Sequence, residues 1–233
     1  MKLINLLKES LGLNEGVYDP NILKAFFLAG GPGSGKTFVS GKVTSGHGLR
    51  FINSDTFFEK LLRDAQLSMD LEYLKQEFPA DYEKAMQLRD KAKMSAGKAE
   101  ANYLVGRLGV IYDGTGAEYD KIKDLRDKCI DLGYDTYMIF VNTSLDVALE
   151  RNAKRQRSVA KDVVMDSWQS VQNNMGKFQN LFGVSNFIVV DNNKYNEDVL
   201  NKVWKRVRSL VKAPLKNPIG KRWIEQQLAM RKR

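Results

Sequence analysis

Residue types that build several common kinds of site are scarce in this chain of 233 residues. A single cysteine, Cys129, excludes an internal disulfide and is typical of a reducing compartment. Cys129 lies at helical spacing from Ile122 and Leu125, which predicts core packing rather than a nucleophile. The single histidine, His47, lies in a Gly-His-Gly loop, so a histidine metal site or a Ser-His-Asp triad is not expected. No apolar run is long enough to span a membrane, and we therefore expect no membrane partner and a cytoplasmic location.

The most informative positive feature is a glycine-rich loop that follows an apolar run at residues 25–29. Residues 30–37, GGPGSGKT, match the P-loop pattern G-x-x-x-x-G-K-[ST] at every fixed position. Glycines allow successive backbone N–H groups to point at phosphate oxygens, and the following helix adds its N-terminal dipole. The pattern predicts a nucleoside triphosphate site in which Lys36 reaches the β- and γ-phosphates and the Thr37 hydroxyl binds Mg²⁺. The predicted nucleotide-binding residues here are Gly31, Pro32, Gly33, Ser34, Gly35, Lys36 and Thr37.

Positive charge is concentrated at the C-terminus. The chain has a net charge of +9, but residues 200–233 contain 11 Lys or Arg and one acid, whereas the preceding 199 residues have a net charge of −1. A basic segment of this kind either binds a polyanion such as nucleic acid or forms the solvated outer face of a helix. Apolar residues at helical spacing favour a packed helix over residues 197–212.

Apolar runs alternate with helical patterns along the chain. Predicted strands lie at 25–29, 49–53, 109–113, 136–142 and 187–191, and predicted helices lie at 36–45, 56–66, 119–132, 144–156, 162–180 and 196–212. This alternation predicts an α/β fold with a parallel sheet covered on both faces. We expect one domain over residues 1–213, with a helical insertion at 56–107 that binds the second substrate and breaks near Phe78-Pro79, and a basic tail at 214–233.

Polar residues follow each predicted strand. In open parallel sheets ligands bind beyond the carboxyl ends of the strands, so these residues are expected to meet in one crevice. They are Asp55 after the second strand, Asp113 and Thr115 at the third, and Asp191, Asn192 and Asn193 at the fifth. Asp55 is interpreted either as the N-cap of the next helix or as a general base that faces the γ-phosphate. Asp113 either holds Mg²⁺ or braces the turn at Gly114.

A basic cluster follows the fourth strand. Residues 151–157 have the sequence RNAKRQR, and Arg151 and Arg155, four residues apart, are predicted to share one helical face. Like charges at this spacing repel unless an anion compensates them, and a triphosphate is such an anion. We interpret Arg151, Arg155 and Arg157 as candidates for a mobile lid over the phosphates; the alternative is a solvated basic end of a helix.

Together these motifs resemble the zeta-toxin and polynucleotide-kinase branch of P-loop kinases, including phage-encoded members. The matching segments are GGPGSGKT at 30–37, NSD at 53–55, DGTG at 113–116, RNAKRQR at 151–157 and DNN at 191–193. The resemblance implies a P-loop NTPase three-layer fold with a five-stranded sheet in the order 2-3-1-4-5, and ATP-dependent phosphorylation of a hydroxyl group. It places Asp55 at the acceptor and residues 191–193 near the adenine. Residues 56–107 match no acceptor-binding motif.

Two classes of function are therefore left open. The first is an ATP- and Mg²⁺-dependent kinase that acts on a hydroxyl of a nucleotide, a nucleotide sugar or a nucleic acid, in the host cytoplasm if phage-encoded. The second is an NTP-hydrolysing binding or switch protein without an acceptor, which would more usually position water with Gln or Glu. The near-neutral body favours a small nucleotide-like acceptor, whereas the basic C-terminus favours nucleic acid.

Overall fold

Five parallel strands form the central sheet of the computed structural model, which describes residues 16–155 and 159–231. The strands are β1 (Lys24–Ala29), β2 (Arg50–Ile52), β3 (Val110–Asp113), β4 (Asp135–Asn142) and β5 (Phe187–Asp191). Their order is β2-β3-β1-β4-β5, and every neighbouring pair is parallel. The predicted fold class and strand order are thereby confirmed.

Helices connect the strands and cover both faces of the sheet. They are α1 (Lys36–Val43), α2 (Ser54–Asp64), α3 (Leu71–Glu77), α4 (Pro79–Val105), α5 (Tyr119–Asp131), α6 (Leu145–Ala153), α7 (Lys161–Phe182), α8 (Glu197–Lys212) and α9 (Pro218–Arg231). Several begin at a side-chain cap, which satisfies backbone N–H groups that the helix itself leaves free. Within the described residues, no helix is long and apolar enough to cross a membrane.

Two apolar cores lie on opposite faces of the sheet because successive side chains of a strand point to opposite sides. On β1, Phe27 faces the core formed with α4, α5 and α7, where Cys129 is fully buried as predicted. Phe26 and Leu28 face the other core, where α1 and α8 pack. Burial on both faces explains why the three central strands, β3, β1 and β4, are largely apolar runs.

The long connection between β2 and β3 folds as three helices, α2 to α4. The break expected near Phe78-Pro79 is present: α3 ends before Phe78, and Pro79 is the first residue of α4, where its missing N–H costs nothing. These helices have an apolar cluster of their own, which contains the buried side chains of Phe58, Leu62, Leu74, Ala85 and Ala92. Because these three helices share an apolar cluster of their own, they can form one side of a cleft beside the sheet.

The basic C-terminal segment packs on the body of the protein. Asp135, at the start of β4, forms a buried ion pair with Lys24 at 2.9 Å and accepts the backbone N–H groups of Lys216 and Asn217. The buried side chain of Asn217 donates to the carbonyl oxygens of Ile130 and Tyr134, and Trp223 packs against the core. The predicted boundary between the domain and the basic tail, after residue 213, stays a prediction. Side chains within residues 215–224 nevertheless pack against the core of the domain.

The strand register brings the carboxyl ends of the strands to one edge of the sheet. Leu28 of β1 is level with Asp113 of β3, and Asn142 of β4 is level with Asp191 of β5. The segments that follow these strands therefore meet along that edge, as parallel topology requires.

Candidate active site

The P-loop lies at this edge, directly after β1, and its backbone is fixed from both sides. The Gly30 N–H donates to the Thr115 carbonyl oxygen at 2.8 Å, which joins the loop to the turn after β3. Gly33 and Gly35 have φ values of 77° and 80°, a region that favours glycine. A Cβ atom at Gly33 would lie 2.0 Å from the carbonyl oxygen of Ala148 in α6, so only glycine fits there.

Lys36 is the cation at the centre of the site. Its ammonium donates to the Gly30 carbonyl oxygen at 2.5 Å across the loop. Burial lowers the pKa of Lys36, the nearby charges of Asp113 and Asp55 raise it, and that of Arg155 lowers it. Asp55, Asp113 and Arg155 border the same cleft as Lys36, so the site contains two carboxylates and a second cation. This combination suits a ligand with several charged oxygens.

Asn53 is hydrogen-bonded to both of the acidic residues near Lys36. Its side-chain oxygen accepts the backbone N–H of Asp55 at 2.7 Å, and its amide nitrogen donates to the Asp113 carboxylate at 2.7 Å. Asn53 is therefore the N-cap of α2, and the helix begins at Ser54 rather than at 56. The interpretation of Asp55 as the N-cap is wrong. Asp55 lies in the first turn of α2 with an exposed side chain at the edge of the cleft.

Asp113 and Thr37 are the expected metal ligands, and both border the same cleft. Burial raises the pKa of Asp113, whereas Lys36 and the hydrogen bond from Asn53 lower it. The described residues contain no group of three His, Cys, Asp or Glu side chains that could hold a metal by themselves. One carboxylate and one hydroxyl nevertheless fit Mg²⁺, which takes hard oxygen ligands and is usually completed by water and substrate phosphates.

The basic cluster divides between two positions. Helix α6 ends at Ala153, so Arg151 and Arg155 do not share a helical face as predicted. Asn152 explains why the helix ends here. Its buried side-chain nitrogen donates to the Val159 carbonyl oxygen at 2.7 Å, and its side-chain oxygen accepts the Val159 N–H at 3.1 Å. These bonds hold residue 159 beside the end of α6. Arg155 borders the cleft that contains Lys36. Arg157 lies outside the described residues.

Arg151 instead contacts the loop after β5. Its guanidinium donates to the carbonyl oxygen of Asn192 at 2.7 Å and to that of Asn193 at 3.3 Å. The buried Asn192 side chain donates to the Ser34 carbonyl oxygen of the P-loop at 2.7 Å. Asp191 accepts both N–H groups of Asn193, from backbone and side chain. Of the three residues predicted to lie near adenine, Asn192 therefore contacts the P-loop backbone, and Arg151 holds the loop that carries it.

The cleft between the P-loop and α2 has a volume of about 490 Å³. Its predicted site residues include Lys36, Thr37, Asp113, Thr115 and Arg155, and it is also bordered by residues that were not predicted from the sequence: Thr56, Glu59, Arg63 and Met69. Helical spacing could have predicted Glu59 and Arg63 as cleft residues. They follow Asp55 at intervals of four residues and therefore lie with it along one face of α2. With a volume of about 490 Å³, the cleft is large enough for a second ligand beside the P-loop.

A further groove begins on the other side of the P-loop. It is bordered by Thr37 and Phe38 of α1 and by Tyr195 and Trp204, the last on α8. Phe38 and Tyr195 are 45% and 62% exposed, and their ring centroids lie 6.0 Å apart. Exposed aromatic side chains beside a phosphate-binding loop can stack on a nucleoside base.

The sheet, the P-loop and the cleft together define a protein with the P-loop kinase-like fold. Residues 26–178 match the model of the AAA_33 family, described as an AAA domain, and the chain belongs to that family. No curated protein matches the sequence.

Solved structures with this fold share little sequence with the chain. A candidate kinase from Chloroflexus aurantiacus is 16% identical, with a TM-score of 0.53 over 80% of this chain and 97% of that chain. A complex of AvrRxo1-ORF1 and AvrRxo1-ORF2 with ATP is 16% identical, with a TM-score of 0.52 over 78% of this chain and 57% of that chain. A shikimate kinase from Bacteroides thetaiotaomicron is 16% identical, with a TM-score of 0.48 over 82% and 99% of the respective chains.

Proposed function

We propose that the protein is an ATP-dependent kinase that transfers the γ-phosphoryl group to a hydroxyl group of a small nucleotide or nucleotide sugar. The observation that supports this most is the meeting of Lys36, Asp113, Arg155 and Asp55 at one cleft beside the P-loop. A nucleotide site alone would not need a carboxylate on the wall opposite the phosphate loop. Asp55 supplies such a carboxylate, and the zeta-toxin and polynucleotide-kinase resemblance assigns the same role to it.

Each group has a defined role in the proposed transfer. Lys36 binds the β- and γ-phosphates, and Arg155 offsets negative charge on the phosphoryl group as it moves. Asp55 accepts the proton of the acceptor hydroxyl. The acceptor oxygen forms a bond to the γ-phosphorus while the bond from the γ-phosphorus to the bridging oxygen of ADP breaks. Arg151 and Asn192 maintain the shape of the P-loop during these steps.

Mg²⁺ fits this scheme at Thr37 and Asp113. When bound there, the ion would supply positive charge that neutralises part of the negative charge on the phosphates. Asn53 helps to keep Asp113 ionised, because its hydrogen bond lowers the pKa of that carboxyl group against the effect of burial. Deprotonated carboxylate oxygen is the form that binds the ion.

The cleft wall on α2 supports the choice of acceptor. Asp55, Glu59 and Arg63 rise along one face of the helix, and eight residues of α-helix span about 12 Å. A hydroxyl group at Asp55, further hydroxyl groups at Glu59 and an anionic group at Arg63 would match this order. A nucleotide or a nucleotide sugar combines these groups in one molecule, and a nucleic-acid end is the second possibility within the same class.

The direct test is incubation of the protein with γ-labelled ATP and Mg²⁺ against separate acceptor pools. The pools are nucleotides with nucleotide sugars, 5′-hydroxyl oligonucleotides, and base-hydroxymethylated DNA. Label in the first pool is expected. Label only in a nucleic-acid pool would correct the acceptor, and release of labelled phosphate without any labelled acceptor would support the NTP-hydrolysing switch protein instead.

Asp55→Asn separates the base from the nucleotide site. Because Asn53 is the helix cap, this substitution leaves the start of α2 intact. We expect acceptor labelling to be lost while a non-hydrolysable ATP analogue binds with unchanged affinity. Full activity in this variant would contradict the role of Asp55 as the base.

A further inference from the structure

A further cavity lies at the opposite edge of the sheet from the P-loop. It has a volume of about 360 Å³ and is bordered by Pro20, Gly46, His47, Trp204, Arg208, Val211 and Lys212. Asn21, which precedes β1, donates to the His47 carbonyl oxygen at 2.8 Å and so fixes this cavity near the amino ends of the strands. A ligand here would lie away from Asp55, which follows the carboxyl end of β2.

The cavity has an ordered aromatic and cationic wall. The Trp204 indole N–H donates to the Ser45 carbonyl oxygen at 3.0 Å, which fixes the ring. The Arg208 guanidinium, one turn further along α8, lies 5.2 Å from the centroid of the Trp204 ring. The centroid of the His47 ring lies 5.1 Å from the same Trp204 centroid. A guanidinium held over an indole loses less conformational entropy when it binds an anion.

No acidic side chain borders this cavity among the described residues, so the charges of Arg208 and Lys212 face it unopposed. The buried His47 Nε2 has no hydrogen-bond partner in the described part of the chain. Burial and the charges of Arg208 and Lys212 lower the pKa of His47, which is consistent with excess positive potential. These features fit an anionic ligand better than a neutral one.

We propose that this cavity binds single-stranded nucleic acid, with a backbone phosphate at Arg208 and Lys212 and an adjoining base against Trp204. Aromatic side chains interleaved with cations are the usual means of binding a single strand without sequence preference. The surrounding chain supports a polyanion rather than an isolated phosphate, because residues 200–233 have a net charge of +10. Exposed Lys202 and Lys205 lie on the same helix, and Lys221 and Arg222 lie on α9. The strand would be held here whether or not the protein is a kinase.

The test is binding of a fluorescently labelled oligothymidine of about 20 nucleotides to the full chain, followed by anisotropy at several salt concentrations. Replacing Arg208 and Lys212 together by alanine should raise Kd about 10-fold or more. It should also make the slope of log Kd against log salt shallower by about 0.7, the value for one phosphate contact on a single strand.

The matched control replaces Lys202 and Lys205 by alanine, which removes the same charge from the same helix outside the cavity. This variant should change Kd less than about 3-fold, the effect expected from a general loss of charge at moderate salt. The oligonucleotide should quench the tryptophan fluorescence of the wild type, and Trp204→Phe should weaken binding and abolish this quenching. Melting temperatures of all variants verify that they are folded, and ATP hydrolysis should be unchanged in the two double variants, whose residues border neither the cleft nor the groove beside the P-loop.

Four results would overturn the proposal. Equal losses in the two double variants would mean that only diffuse charge attracts the strand. Competition by thymidine monophosphate at the same phosphate concentration would assign the cavity to an isolated phosphate. Tight binding to phosphatidylserine vesicles without binding to oligothymidine would assign it to a membrane surface. Absence of any binding by the folded wild type would leave the cavity without this function.

Discussion

The side-chain amide of Asn53 donates a 2.7 Å hydrogen bond to the carboxylate of Asp113, sixty residues away in the chain. The same amide group caps α2 through the backbone N–H of Asp55. One side chain therefore fixes the ends of two neighbouring strands and the start of the helix that carries the proposed base.

Asn53→Ala should affect both stability and transfer. Loss of the cap is expected to lower the free energy of unfolding by about 1 kcal/mol, and loss of the bond to Asp113 should raise the pKa of that carboxyl further and weaken phosphoryl transfer. Asn53→Ser keeps a capping oxygen but is too short to replace the amide donor. Urea unfolding and transfer assays should therefore show that Ser restores stability without restoring transfer; recovery of both would contradict the link to Asp113.

Lys36→Ala should abolish transfer while leaving the fold intact. The ammonium donates one hydrogen bond to the P-loop, at the Gly30 carbonyl oxygen, whereas the Gly30 N–H is held separately by the Thr115 carbonyl oxygen. Loss of a charged group at the phosphates typically lowers turnover by about 10²-fold or more. Labelled ATP gives the rate, and circular dichroism gives the fold. A folded variant with near wild-type turnover would refute the assignment of the P-loop.

Arg155 and Arg151 should give different kinetic effects. Arg155 faces the cleft, so Arg155→Ala should lower kcat more than it lowers ATP affinity. Arg151 binds the backbone of residues 192–193, so Arg151→Ala should mainly weaken ATP binding. Lys154→Ala, an exposed neighbour, is the control. The measurements are kcat and the Kd of a non-hydrolysable analogue, and the same profile in both arginine variants would contradict the division of roles.

The buried pair of Lys24 and Asp135 should be important for stability. Both side chains are less than a tenth exposed, and Lys24→Met leaves the Asp135 carboxylate without its cation, which typically costs about 3–5 kcal/mol. Lys154→Met breaks the exposed pair with Glu150 and should change stability by less than about 1 kcal/mol. Urea unfolding followed by tryptophan fluorescence compares the two, and similar losses would disprove the difference.

His47 should make stability depend on pH. Burial, Arg208 and Lys212 lower the pKa of His47 in the folded protein, so the unfolded chain takes up the proton first as the pH falls. The free energy of unfolding should therefore decrease as the pH drops below about 6.5, the ordinary histidine value. Melting temperatures between about pH 7.5 and 5.5 should fall more steeply for the wild type than for His47→Gln. Parallel curves for the two proteins would show that His47 is not responsible.

Truncation after Pro214 would not test the charge of the basic C-terminal segment by itself. Asn217 is buried and hydrogen-bonded, and Trp223 packs against the core, so the truncated protein would lose contacts of the fold itself. Point substitutions of exposed lysines and arginines in this segment remove the charge without removing those contacts.

Most of the architecture could be predicted from the sequence, because strands buried on both faces are apolar runs and helices have their own periodicity. The P-loop spacing located Lys36 and Thr37, and the strand ends located Asp55 and Asp113. Capping was harder to predict: Asn53, Ser54 and Asp55 are all capable of the role, and only the backbone course of α2 shows that Asn53 performs it.

What the sequence by itself determined is the set of local features: the phosphate-binding loop, the alternation of strands and helices, and the excess of basic residues after position 200. The tertiary structure decided which groups meet. It separated Arg151 from Arg155, because the buried Asn152–Val159 hydrogen bonds end α6 between them. It also placed Glu59 and Arg63 on the cleft wall and Trp204 beside Arg208 and His47. The contacts of Asn53 with Asp113, of Arg151 with residues 192–193 and of His47 with Trp204 join residues far apart in the chain, which no local pattern records.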